Sequence, residues 1–168
     1  MKLHDAQSMA AFAITELEAH CEHIAVAGSI RRRRPHVNDI DLVILPRGED
    51  GRAAIARRFA LTCSRIKGGE QYEVFMSPNG WQFDLWFAHG PQSDLLSTTP
   101  GNWGMLLLAR TGSLHHNIYL ASRARERGLH FNPHKGIMRG TEVLASETEA
   151  AIFAALELPF IPPEERER

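Results

Sequence analysis

Apolar positions recur at helical spacing in the opening segment. Met9, Phe12, Ala13 and Leu17 fall on one face of a helix predicted over Asp5–His20, with Asp5 as its cap. The pattern then shortens. His23–Ala27 reads as a strand that ends in Gly28-Ser29, and Asp39–Leu45 as a second strand stopped by Pro46. Gly51–Leu61 returns to helical spacing. Gln71–Met76 and Trp81–Ala88 alternate, and Asn79-Gly80 between them is a hairpin signal.

The second half changes character. Asn102–Arg110 and Ser113–Arg127 read as helices separated by Thr111-Gly112, and His130–Met138 as a small β-element turning at Asn132-Pro133. Ser146–Leu158 is a last helix. Its Ser146 and Glu149 have capping-box spacing, and Pro162-Pro163 ends it. The expected fold class is α+β. A mixed sheet flanked by helices occupies residues 1–95, and a small α/β subdomain follows over 96–168, with Pro91, Pro100 and Gly101 punctuating the join.

Composition narrows the class. At 168 residues the chain is long enough to bury a real core. No apolar run approaches the length that spans a bilayer, and the N-terminus lacks a signal-peptide pattern, so a cytoplasmic protein without a membrane partner is expected. Cys21 and Cys63 fit no metal spacing and read as reduced packing residues. Of the nine histidines, His20, His23, His130 and His134 show no zinc-ligand spacing. The tail from Thr141 to Arg168 holds seven Glu and two Arg, so the remainder carries about +4 against a whole-chain charge of −1. Much of that positive charge sits in Arg31–Arg34 and Arg123–Arg127. One basic face is expected, without the strong field of a histone-like protein.

The candidate chemistry lies in GSIRRRRPHVNDIDLVIL, residues Gly28–Leu45. Residues i and i+2 of a strand share a face, so Asp39 and Asp41 would project side by side while Ile40, Leu42 and Ile44 bury the other face. Adjacent carboxylates repel unless a cation neutralises them. An isolated D-x-D also fits solvated charge at a strand end. Asp84 sits inside the apolar and aromatic WQFDLWF, where a charge is costly unless paired or metal-bound. Taken alone, it also fits a salt bridge to an arginine. If its strand neighbours Asp39–Leu45, three carboxylates converge as a two-metal site requires. Gly28-Ser29 offers backbone N–H groups and a hydroxyl to an anion, and Arg32 adds a charged fork suited to phosphate.

These motifs resemble the G-S…D-x-D signature of the nucleotidyltransferase superfamily. RTGSLHHNIYLASRARERGLHFN and SETEAAIFAALELPFIPPEER narrow the resemblance to the family X, polymerase-beta-like DNA polymerases. The first carries a T-G-S turn with an Asn five residues after the glycine. The second is similar to the family's closing helix and its terminal Pro-x-x-Arg. Lys67–Gly69 before the hairpin also fits.

The resemblance implies a nucleotidyltransferase palm followed by a thumb, in a minimal form without an N-terminal lyase domain or helix-hairpin-helix pair. Asp39 and Asp41 would bridge two Mg²⁺ ions, with Mn²⁺ able to substitute. Asp84 would bind the catalytic ion near the primer 3′-hydroxyl. Gly28, Ser29 and Arg32 would hold the β- and γ-phosphates. Gly112, Ser113 and Asn117 would take the sugar and base of the incoming nucleoside triphosphate. Arg110, Arg123, Arg125 and Arg139 are candidates for DNA phosphate contacts. His115-His116 beside Asn117 fit either packing and exposure or contact with base or template. The implied activity is transfer of a nucleotide to a primer 3′-OH in short-gap filling during DNA repair, by a monomer acting on primer-template or gapped duplex.

Several positions depart from that pattern. Ala109 and Arg110 stand where larger members carry an aromatic pair that fences off the ribose 2′-hydroxyl, so weak ribose discrimination is expected. Gln82 replaces an arginine beside the third Asp, Ala121 a template-contacting arginine, and Asn38 a glycine. Two other function classes stay open at this level. One is a template-independent nucleotidyltransferase acting on nucleic-acid ends or another acceptor; the T-G-S…N element argues against it. The other is a non-catalytic DNA end-binding module, against which the presence of all three carboxylates argues.

Overall fold

The computed structural model describes residues 1–93 and 98–167. The chain divides into two compact units, Met1–Ala88 and His89–Arg168. The boundary expected between 95 and 96 lies outside the described residues.

The first unit is built on a five-stranded mixed sheet of order β1-β2-β5-β4-β3, from β1 (Cys21–Val26), β2 (Ile40–Pro46), β3 (Ser64–Gly68), β4 (Tyr72–Met76) and β5 (Gln82–Phe87). Only β2 and β5 run parallel; the other pairs are antiparallel. Strand alternation divides the residues between two faces. Ile40, Leu42 and Ile44 of β2 and Phe83, Leu85 and Phe87 of β5 enter one core with α1 (Leu3–Leu17) and α3 (Gly48–Ala60). Ile40, Leu42 and Ile44 are fully buried, each worth about 1.5–3 kcal/mol relative to exposure.

Helix α1 begins two residues before the expected Asp5, with Lys2 at its N-cap and no side-chain cap bond. Its buried face is Ala6, Ala10, Ala13 and Leu17, whereas Phe12, expected inside, is 61% exposed. Small residues let the helix approach the sheet closely, and that spacing outweighs the larger apolar ring. The hairpin at Asn79-Gly80 is present: the Gly80 N–H donates to Ser77 O at 3.0 Å and Ser77 N–H to Trp81 O at 2.9 Å.

Strand β3 was not expected. All five of its residues are exposed, and it lines the sheet edge. Arg65 binds the buried Glu73 of β4 at 2.9 Å, and Arg52 of α3 approaches the same carboxylate at 3.6 Å. Arg52 also donates to the carbonyls of Gly69 and Glu70 and lies over the Phe87 ring.

Cys21 is buried and donates to Leu17 O at 3.1 Å. Burial pushes its thiol up to about 11, against the opposing pull of the Arg47 guanidinium. A thiol reacts as thiolate. Iodoacetamide at pH 8 is therefore expected to modify Cys63 in the folded protein and to spare Cys21 until denaturant is added. Peptide mass spectrometry reads this directly, and early labelling of Cys21 would contradict the packing.

The second unit holds an antiparallel pair of short strands, β6 (Gln92–Ser93) and β7 (Thr98–Thr99), and helices α4 (Trp103–Thr111) and α5 (Leu114–Glu126). A three-stranded antiparallel sheet follows, from β8 (His130–Asn132), β9 (Gly136–Arg139) and β10 (Glu142–Ala145), and then α6 (Glu149–Ala155). The β-element read over His130–Met138 thus gains a third strand. The expected capping box at α6 is replaced. Thr148 is the N-cap, accepting from Ala151 N–H at 3.1 Å, while Ser146 donates to Gly101 O at 2.7 Å. Glu149 turns instead to Arg166, which is fully buried. No helix among the described residues is long and apolar enough to cross a membrane.

Candidate active site

Parallel pairing of β2 with β5 sets Asp41 directly opposite Asp84. Both point away from the core face, as alternation requires. Asp39 lies one residue outside β2, on a bend, rather than within the strand. Burial, followed by the charge of Asp84, raises the Asp39 carboxyl above its usual value. Two of the expected carboxylates are therefore neighbours in register, and the third is within electrostatic reach.

The carboxylates have protein partners. Asp84 is nearly buried; its Oδ2 accepts from the Tyr72 hydroxyl at 2.9 Å and its Oδ1 from Gln82 Nε2 at 2.8 Å. Asp41 Oδ1 accepts from Trp86 Nε1 at 3.1 Å. Among the described residues no three His, Cys, Asp or Glu side chains gather closely enough to surround a metal ion. Asp41 and Asp84 thus pair in register, and Asp39 lies just outside the strand within reach of the Asp84 charge. The donor set nonetheless suits a hard divalent cation: it is all carboxylate oxygen, and a cation would relieve the repulsion between Asp39 and Asp84.

Strand β1 runs into α2 (Gly28–Arg31), a single turn. Ala27 N–H donates to Asp41 O at 2.9 Å, so this turn is tied to the carboxylate strand. Gly28 has φ +56°, and a Cβ there would stand 2.0 Å from Asp41 Oδ2. Only glycine fits this approach. Ser29 Oγ is buried with no hydrogen-bond partner among the described residues, an orphan that an anion oxygen would satisfy. Arg32 follows the turn, half-buried. Arg33, at φ +57°, bends the chain away from it.

In the second unit Gly112 has φ +73°, and the Gly112–Ser113 peptide is cis. Ser113 caps α5, its Oγ accepting from His116 N–H at 3.3 Å. Its own N–H donates to Arg166 O at 3.1 Å. Asn117 donates through Nδ2 to Ala109 O at 2.8 Å, and its Oδ1 is buried without a hydrogen-bond partner among the described residues.

Of the arginines read as DNA contacts, Arg125 and Arg139 are exposed. Arg123 donates to Leu156 O at 3.2 Å and pairs with Glu126, which commits its guanidinium to the fold. Arg110 stands 3.4 Å from His134 Nε2. Burial, and then the Arg110 charge, lower the His134 imidazole below its usual value.

Tyr72 and Trp86 were missed as site residues. The signal was present in the alternation: Gln82, Asp84 and Trp86 share one face of β5, and Tyr72 is the cross-strand partner of Trp86.

Residues 106–167 match the family model described as DNA polymerase beta thumb. The DNA polymerase/3′-5′ exonuclease PolX of Bacillus subtilis (strain 168) is 29% identical over 155 residues, covering 88% of this chain and 25% of that protein. The chain thus spans about a quarter of the length of the curated relative it matches. Two crystal structures of Leishmania infantum polymerase beta share the fold. The ternary P/T complex gives a TM-score of 0.76 at 15% identity, over 100% of this chain and 77% of that one. The ternary gap complex gives 0.78 at 14%, over 100% and 71%.

The fold is α+β and structurally close to polymerase beta. The second unit thus resembles a polymerase beta thumb, and the chain as a whole is similar in sequence to a PolX protein, the resemblance its motifs implied.

Proposed function

We propose that this chain is a DNA polymerase that adds nucleotides to a primer 3′-OH at short gaps. The observation that carries the reading is the in-register pair Asp41 and Asp84 beside the Gly28-Ser29 turn. Two divalent cations, Mg²⁺ or Mn²⁺, held by Asp39, Asp41 and Asp84 would supply charge neutralisation and in-line alignment. Ser29 Oγ, the Gly28 backbone and Arg32 bind the β- and γ-phosphates. Gly112 admits the sugar, and Asn117 Oδ1, the orphan acceptor, faces the base edge. The 3′-hydroxyl attacks the α-phosphate, its proton passes to Asp84, and pyrophosphate leaves. Tyr72 and Gln82 keep Asp84 oriented for that transfer. With Ala109 and Arg110 before the T-G-S turn in place of an aromatic pair, the 2′-hydroxyl is only weakly discriminated against.

Primer extension on single-stranded, templated and one-nucleotide-gapped DNA tests this, with each dNTP and rNTP in Mg²⁺ and in Mn²⁺. Templated incorporation is expected, reduced roughly 10²–10⁴-fold in Asp84→Asn. Ribonucleotides are expected within about tenfold of deoxynucleotides, a difference below ~1.4 kcal/mol. A strong dNTP preference would remove the ribose part of the reading. Untemplated addition alone would make the protein an end-acting transferase, and a gel shift without turnover would make it an end-binding module.

A further inference from the structure

Tyr72 and Trp86 face each other across β4 and β5. Their rings are stacked, with centroids 3.9 Å apart and planes inclined by 23°. Each ring has one polar atom, and each polar atom meets a different carboxylate: Tyr72 Oη donates to Asp84 Oδ2, and Trp86 Nε1 to Asp41 Oδ1. Asp41 and Asp84 are themselves partners in the β2–β5 ladder. The four residues close a circuit of two backbone pairings, one ring stack and two hydrogen bonds. Neither ring can tilt without moving the other, and neither carboxylate can rotate without losing a donor.

The donors suit the task. An indole N–H only donates. A phenol hydroxyl is protonated at neutral pH, and that of Tyr72 donates to Asp84 Oδ2 at 2.9 Å. An ionised carboxylate has more lone pairs than these bonds use, so acceptor capacity toward a cation remains. Hydrogen bonds of this kind orient metal-binding carboxylates, and losing one typically costs 10–100-fold in metal affinity.

We propose that Tyr72 and Trp86 act as one positioning unit that fixes the Asp84 and Asp41 carboxylates for a divalent cation. The inference rests on the reading of those aspartates as the metal-holding residues of a polymerase.

Titration of the full chain with Mn²⁺, read as free Mn²⁺ by electron paramagnetic resonance, separates the two. Wild type is expected to bind Mn²⁺, and Asp84→Asn to lose that binding. Tyr72→Phe keeps the ring and removes one oxygen; Trp86→Phe keeps an aromatic face and removes the N–H. Each is expected to raise the Mn²⁺ Kd about tenfold or more with the melting temperature nearly unchanged. Should Trp86→Phe fail to fold, Tyr72→Phe decides. Wild-type or tighter Mn²⁺ affinity in Tyr72→Phe would overturn the inference while leaving the polymerase reading intact, since the donors would then only satisfy or compete for the carboxylates. Absence of Mn²⁺ binding by wild type, or its persistence in Asp84→Asn, would overturn both.

Discussion

Gly28→Ala is expected to cut nucleotide incorporation more than about 100-fold while leaving most of the fold in place. The added Cβ would lie 2.0 Å from Asp41 Oδ2 and 2.9 Å from its Cγ, so one of the two must move. The backbone has little freedom, because Ala27 N–H is bonded to Asp41 O and the turn continues through Arg31 N–H to Ala27 O. The carboxylate therefore yields. A displacement of about 1 Å at a reacting centre costs on the order of 10² in rate. The cost in stability is smaller: a non-glycine residue at φ +56° adds about 1–2 kcal/mol. Steady-state incorporation measured beside a thermal melt separates the two effects. A wild-type rate would show that the carboxylate position read here is unimportant to turnover.

Arg166→Met is expected to destabilise the second unit by about 3–5 kcal/mol, the usual result of removing one partner from a buried ion pair. Arg166 is fully buried and bonds Glu149 Oε1 at 2.7 Å and Ile161 O at 2.8 Å. Its guanidinium also lies over the rings of Phe153 and Phe160, at 5.4 and 5.5 Å. Methionine keeps much of the volume but removes the cation from beside the buried Glu149 carboxylate. The backbone carbonyl of Arg166 accepts from Ser113 N–H, so loosening the tail also frees the Gly112–Ser113 turn. A melting temperature lower by roughly 10 °C is expected. Hydrogen exchange should localise the loss to Ser113–His116 and to α6. Arg166→Lys restores one bond at most and is expected to rescue only in part. A melt indistinguishable from wild type would refute the buried pair as a stabilising contact.

Much of the sheet was legible because alternation is a local signal. The two long strand readings, the Asn79-Gly80 hairpin and the burial of Ile40, Leu42 and Ile44 needed no distant information. Phe12 misled because hydrophobic periodicity weighs a residue by its own apolarity, whereas close packing of α1 selects Ala6, Ala10 and Ala13 for their small size. Strand β3 was invisible for the opposite reason. SRIKG has one strongly apolar residue, and its pairing depends on the β4 ladder and the Arg65–Glu73 contact. Ser146 and Glu149 have the spacing of a capping box, but Gly101 and Arg166, far along the chain, claim their side chains. Asp39 and Asp41 stood out as neighbouring carboxylates at the head of an apolar strand, and Asp84 as a costly charge within one. Tyr72 and Trp86 did not, because an aromatic in a strand needs no explanation until the register places its polar atom against a carboxylate.

The register of β2 against β5 bears on how such a chain tolerates insertions and deletions. Asp41 and Asp84 are far apart in sequence, yet their separation is set by one strand-to-strand spacing, about 4.8 Å. The loops between them, around α3, before β4 and at the hairpin tip, lie outside the β2–β5 ladder. They can lengthen or shorten over evolution without altering the distance between the carboxylates. The six residues of β5 have no such latitude. One residue gained or lost ahead of Asp84 within that strand would turn it toward Phe75 and Leu42 in the core and bring an apolar neighbour up beside Asp41. Drift in length is thus cheap across most of the first unit and prohibitive in one short strand.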